Sequence, residues 1–218
     1  MLNRIIRTIE NIMNDIRSWI FCFRYLPFVE AKHCPVRLHW RVKVYISKQA
    51  KIYFRGGNIS IGIHQGSYGL CCRATRFCIY DDSEVIINGD CCISRGTNII
   101  VRYGGRLSIS SGFFCNSNCN ILVNKDISFG NQALLGWDVT VLDSDGHTIK
   151  ADGVDGLPEK PINIGAHCWL GAKSTILKGV TLAEDTIVPY GTVCHKSNDD
   201  KYVVFANKVV KRNIIRNE

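Results

Sequence analysis

Ile164-Gly165-Ala166-His167-Cys168-Trp169-Leu170-Gly171-Ala172-Lys173-Ser174-Thr175-Ile176 opens a stretch in which every sixth residue is apolar. The row runs Ile164, Leu170, Ile176, Leu182, Val188, Cys194. A helix repeats near 3.6 residues and a strand at 2, whereas a period of six fits a coil of short strands whose equivalent positions point inward. The residues four after each member (Cys168, Ser174, Val180, Thr186, Thr192) are small or β-branched and suit a tight corner. Gly165 and Gly171 directly follow two members, where a turn calls for a residue tolerant of unusual dihedrals.

The row continues upstream through Phe129, Leu135 and Val141, and, after a two-residue slip, through Ile109, Cys115, Ile121 and Ile127. Earlier still it becomes ragged, around Ile59, Ile61 and Ile63 and the run Val85 to Ile87. Three hexads close one triangular coil, so residues from about 50 to 196 are expected to stack as a prism with a continuous core. The 218-residue chain suits one domain with appendages. The divisions expected are an N-terminal helical extension over 1–28, a coil domain over 29–196 interrupted by a loop at 143–161, and a basic tail over 197–218.

In the extension, Ile5, Ile6, Ile9, Ile12, Met13, Ile16 and Ile20 recur at helical spacing between Arg4, Arg7, Glu10, Asn14 and Arg17. Such a stripe is expected to pack on the prism or a neighbouring subunit, in preference to the membrane-surface role that the aromatics from Trp19 to Phe28 also suggest. The apolar run is too short to span a bilayer. It comes late, is broken by Arg24 and lacks a small-residue cleavage site, so it does not read as a signal peptide.

Eleven cysteines, an odd number, without a secretory signal imply free thiols in a reducing compartment, and hence the cytoplasm. The adjacent pairs Cys71–Cys72 and Cys91–Cys92 point to opposite faces of a strand and do not converge on a metal. Cys115, Cys168 and Cys194 occupy the row as small apolar fillers. The formal charge of +8 is compatible with nucleic acid, a membrane surface or a phosphorylated ligand. The basic tail lacks interleaved stacking aromatics, which disfavours nucleic acid and favours a small polyanionic cofactor.

The row breaks once, at Asp143-Ser144-Asp145-Gly146-His147, followed by a polar stretch with Gly153, Gly156 and Pro158 before the beat resumes at Ile162. A loop of this length ejected from a solenoid is usually functional. His147, with Asp143 or Asp145 to fix its tautomer, has the make-up of a general base for deprotonating a hydroxyl. The histidines at 33, 39, 64, 167 and 195 lack that context.

Asp145-Gly146-His147, Cys168-Trp169-Leu170-Gly171-Ala172 and the hexads up to Lys196 together resemble the hexapeptide-repeat acyltransferases over about residues 80 to 212. The resemblance is closest to the maltose and galactoside acetyltransferases and the O-acetyltransferases of bacterial surface polysaccharides. It implies an all-β, left-handed parallel β-helix, a departure from the right-handed crossover rule, assembled as a homotrimer with acetyl-coenzyme A between subunits. By the same resemblance His147 is the catalytic base, Asn116 and Trp169 meet the acceptor, and Trp169, Gly171, Ala172, Tyr190 and Gly191 meet the acyl and pantetheine portion. Lys196, Lys208 and Lys211 correspond to the residues near the nucleotide phosphates. Where the family commonly reads G-x-P-A-K, this chain has Val204-Phe205-Ala206-Asn207-Lys208.

The function expected is acetyl transfer from acetyl-coenzyme A, without a metal, to a sugar hydroxyl or a lipid-linked oligosaccharide in capsule or O-antigen synthesis, at the inner face of the membrane if the helix binds lipid. Transfer to an amine of an amino sugar or antibiotic is the alternative. A zinc carbonic anhydrase is disfavoured because His147 and His167 are twenty residues apart and lack the close second histidine that such a site draws from one subunit, and a scaffold would leave His147 and Trp169 without a role.

Overall fold

The computed structural model describes residues 2–65, 73–148, 150–151 and 154–216. Cys71, Cys72 and Gly153 lie outside them. The chain winds as a left-handed parallel β-helix. Its first coil runs from Val36–Leu38 on face one to Lys43–Ile46 on face two and Lys51–Arg55 on face three. Among the described residues the three faces hold nine, seven and six strands.

Period two within each short strand turns alternate side chains inward. Leu38, Ile61, Ile93, Cys115, Leu135, Leu170 and Val188 stand in register down face one, all fully buried. Each such aliphatic stabilises the stack by about 1.5–3 kcal/mol. The whole C-terminal row from Ile164 to Cys194 lies in the same core. The ragged N-terminal half belongs to the same stack with longer corners: Thr175 and Val193 are coil equivalents, eighteen residues apart, whereas Ile99 and Ile121 are separated by twenty-two.

Gly165 and Gly171 serve the corners for a reason other than dihedral freedom. Neither has a positive φ; a Cβ on Gly165 would lie 2.5 Å from the Glu184 nitrogen, and one on Gly171 2.6 Å from the Val188 oxygen. The coils approach too closely there for any side chain. The left-handed corner positions fall instead on Asn118, Asp138, Lys173 and Gly191 at the corner between faces one and two, and on Gln132, His167 and Asp185 between faces three and one.

Helix α1 (Leu2–Tyr25) covers the N-terminal end of the stack. Edge strand Val36–Leu38 needs partners on its open side. Ser18 Oγ accepts the Leu38 N–H at 2.9 Å, and Asn14 Oδ1 accepts the Trp40 N–H at 2.8 Å. The side of α1 turned to the coils is therefore Asn14, Ser18, Phe21 and Cys22, all buried. Of the two packing partners expected for the isoleucine stripe, the prism is excluded: the stripe faces away, because the edge strand's polar groups recruit Asn14 and Ser18 on the opposite side.

Beyond residue 196 the stack continues. Val203–Phe205 pairs in parallel with Thr186–Val188, and Val209–Lys211 folds back antiparallel on it. No helix is long and apolar enough to cross a membrane among the described residues. The nine described cysteines are free.

Candidate active site

Trp169 precedes inward Leu170, so alternation turns its indole outward, where it is 39% exposed. It is registered between Leu134 and Ile187, and the ladder extends to Phe114 and Val204. Face one thus carries an apolar column on its outer side, where a solvated face would be polar. This column floors a cavity of about 450 Å³ whose remaining wall includes Asn116, Gly136, Trp137, Gly171, Ala172, Pro189 and Tyr190.

The cavity lies along the corner between faces one and two. Asn116 is buried there, its Oδ1 accepting the Ser117 N–H at 2.8 Å. Gly136 and Gly171 hold the wall to bare backbone: a Cβ on either would meet the next coil's main chain within 2.6 Å. Tyr190 is 62% exposed at the rim, with Lys173 Nζ 5.9 Å from its ring centroid. Gly191 follows with φ +67°. An apolar floor with a few polar groups at one end is the make-up of a small-molecule cleft.

Asn116, Trp169, Gly171, Ala172 and Tyr190 therefore converge on this cavity within one chain, and Gly191 follows beside Tyr190. Phe114, Leu134, Trp137, Ile187 and Val204 line the same cavity and were missed by sequence reasoning. For four of them the signal was present: Phe114, Leu134 and Ile187 each precede an inward residue, as Trp169 does, and Val204 follows one.

His147 stands elsewhere, at the corner between faces two and three, after strand Thr140–Leu142. Its loop leaves the stack on two pinned legs. Ser144 bridges Glu159 antiparallel, the Asp145 N–H donates to the Pro158 carbonyl at 2.9 Å and the Lys160 N–H to the Asp143 carbonyl at 3.0 Å. His147 is exposed beyond this base. A second cavity of about 380 Å³ opens beside it, lined in part by Arg102, Asn124, Asp145 and Gly146.

Neither carboxylate expected to orient His147 is bonded to it. Asp143 is fully buried, and its carboxylate accepts the N–H groups of Asn124, Lys125 and Asp126, each at 2.8 Å. Burial pushes its carboxyl up, while those three donors pull it down. Backbone groups at a corner cannot be left unpaired, and Asp143 is consumed in satisfying them. Asp145 pairs with Lys178, Nζ to Oδ2 2.6 Å.

The basic residues divide. Lys196 lies two residues beyond the face-two strand Val193–Cys194, and Lys208 sits in the returning hairpin. Asn207, at φ +58°, brings these two together. Its Oδ1 accepts the N–H groups of His195 and Lys196 at 2.8 and 3.2 Å, and its Nδ2 donates to the Val193 carbonyl at 2.8 Å. Asparagine thus makes the turn without a glycine or proline. Lys211 lies apart, opposite Val204 at the end of the apolar column. All three ammonium groups are exposed.

No family model matches the chain. Among curated proteins, a galactoside O-acetyltransferase of Lactococcus lactis subsp. lactis is 29% identical over 118 residues, covering 51% of this chain and 56% of that protein. The galactoside O-acetyltransferase of Escherichia coli is 28% identical over 98 residues, 43% of this chain and 47% of that one. Nodulation protein L of Rhizobium meliloti is 32% identical over 80 residues, 36% and 44% of the two chains. The chain thus spans about half the length of the curated relatives it matches. In fold it is similar to the crystal structure of the polySia specific acetyltransferase NeuO, at TM-score 0.54 and 19% identity over 82% of this chain and 89% of that one.

Proposed function

We propose that this chain, which is related in sequence and in fold to the hexapeptide-repeat acetyltransferases, is an O-acetyltransferase. It moves an acetyl group from acetyl-coenzyme A to a sugar hydroxyl of a surface polysaccharide or its lipid-linked precursor. One observation carries the reading. The apolar cleft at Trp169 and the exposed His147 lie at different corners of the prism yet on neighbouring coils, since strand Thr140–Leu142, just before His147, pairs directly with the strand following Trp169. Side-by-side copies related by a threefold rotation bring one copy's His147 against the next copy's cleft, and a head-to-tail contact with that rotation closes as a ring. A homotrimer with three equal sites is the assembly that a triangular prism suits.

In that site the apolar column and the bare backbone at Gly136 and Gly171 take the thioester arm, whose amides match exposed main chain. Lys196 and Lys208 hold phosphate. Asn116 donates to the acceptor. His147 takes the proton of the attacking hydroxyl as its oxygen bonds to the thioester carbonyl. The carbon–sulfur bond then breaks, and the departing sulfur receives that proton from the imidazolium. General-base help of this kind is worth about 10²–10⁴ in rate.

The test pairs thiol release from acetyl-coenzyme A, over a panel of sugar acceptors, with a His147→Ala variant. The variant loses about 10²- to 10⁴-fold in turnover while coenzyme A binding and assembly size stay unchanged. Near-normal activity in it would remove His147 from the chemistry, and absence of any coenzyme A binding by the wild type would remove the reading itself.

A further inference from the structure

The face of α1 turned away from the coils has no part in the site. Its direction follows from its anchors: Asn14 meets Trp40, Ser18 meets Leu38, and Cys22 Sγ contacts the Val36 carbonyl at 3.6 Å. The helix thus runs antiparallel along the terminal strand and lies flat across the end of the stack, not along it. At 3.6 residues per turn, the side opposite Asn14, Ser18 and Cys22 is Ile5, Ile9, Ile12, Ile16, Ile20 and Phe23. Each of these is between 44% and 57% exposed.

The strip extends sideways through aromatics. Trp19 stacks on Phe23 with centroids 5.4 Å apart, and Phe28, 73% exposed, lies 6.1 Å from Phe23. The helix also carries Arg4, Arg7, Arg17 and Arg24 against Glu10 and Asp15 alone, and Asp15 is taken by Arg37 at 2.7 Å. The surface is therefore apolar and flat; Arg17 and Arg24 flank it along one side, while Arg4 and Arg7 lie on the Asn14–Ser18 side of the helix.

We propose that this face of α1 docks on the surface of an anionic phospholipid bilayer, lying in the headgroup plane. Charge selects this occupant over a second copy of the chain. A second copy packed face to face would set this net-positive helix, with its flanking Arg17 and Arg24, against another of the same charge, whereas phosphate headgroups neutralise it. The orientation agrees, since a strip facing outward along the stack axis meets a plane without displacing any coil.

The 218-residue chain is sedimented with vesicles of phosphatidylcholine, with and without phosphatidylglycerol, at low and high salt. The wild type pellets with the anionic vesicles and is released by salt. An Ile9→Asp, Ile16→Asp double variant binds at least tenfold more weakly, with unchanged circular dichroism and unchanged size in sedimentation velocity. Arg17→Gln and Arg24→Gln each weaken binding to anionic vesicles about fivefold. Wild-type protein that stays in the supernatant overturns the proposal. A double variant that loses self-association instead of vesicle binding also overturns it and makes the strip an interface between copies. None of these readouts depends on acetyl transfer.

Discussion

Lys178 Nζ lies 2.6 Å from Asp145 Oδ2. The same ammonium donates to the Leu157 carbonyl at 2.6 Å, so one side chain on the next coil fastens both legs of the loop that presents His147.

Lys178→Met is expected to lower turnover by about 10- to 100-fold, the size of effect that follows from misplacing a reacting group by about 1 Å. Thermal stability changes little, because a solvent-accessible pair contributes at most about 1 kcal/mol. Steady-state kinetics beside a melting curve checks this, and unchanged turnover would show that the loop holds its shape without the lysine.

The Asp143 carboxylate is bonded to the corner backbone and not to His147. Asp143→Asn turns an amide N–H₂ toward backbone donors and leaves at least one of them unpaired, a loss of about 1–3 kcal/mol. Denaturant unfolding reads that loss directly. The pH–rate profile of the surviving enzyme stays where it was; a displaced profile at full stability would restore the orienting role.

Gly171→Ala drives a Cβ to 2.6 Å from the Val188 oxygen and 2.7 Å from the Tyr190 nitrogen. Main chain on the facing coil cannot rotate aside, so the coils part at the cleft, with a cost of about 1–3 kcal/mol and weaker coenzyme A binding. Gly104→Ala is the control, with open space around its Cβ but φ +77°. It costs about 1 kcal/mol from backbone strain and leaves binding intact. Equal coenzyme A affinity in the two variants would contradict the packing role.

Burial pushes the Cys168 and Cys194 thiols up to about 11. Unfolded thiols ionise from about pH 8.5, so the native state binds more protons in between. The stabilisation is complete below that range and is lost as pH rises toward 11. Guanidinium unfolding at stepped alkaline pH is expected to show the decline, flattened in a Cys168→Ala, Cys194→Ala variant. The same slope in both proteins would assign the loss to other groups.

Much of the architecture was legible because a solenoid writes its geometry locally. Ile164, Leu170 and Ile176 are six apart since each must refill the same inward slot on the next strand, and a loop that leaves the stack must interrupt the count, as Asp143 to Pro161 does. The site was legible in pieces. Trp169 and His147 stood out by motif, but the apolar column of Phe114, Leu134, Ile187 and Val204 joins residues from coils up to 35 positions apart, as in the pairing of Leu134 with Trp169. Such a column exists only once the registers are known.

The amino-acid order alone determined the triangular stack, the place where it opens, and an amphipathic helix before it, because each depends on a period that neighbouring residues enforce. The tertiary structure decided the rest. Asp143 turned from a partner of His147 into the acceptor for three corner N–H groups, since a buried carboxylate goes to the nearest unpaired donors. It also set the direction of the isoleucine stripe, since Asn14 and Ser18 were drawn to the unpaired edge of Val36–Leu38 and the apolar side was left facing out.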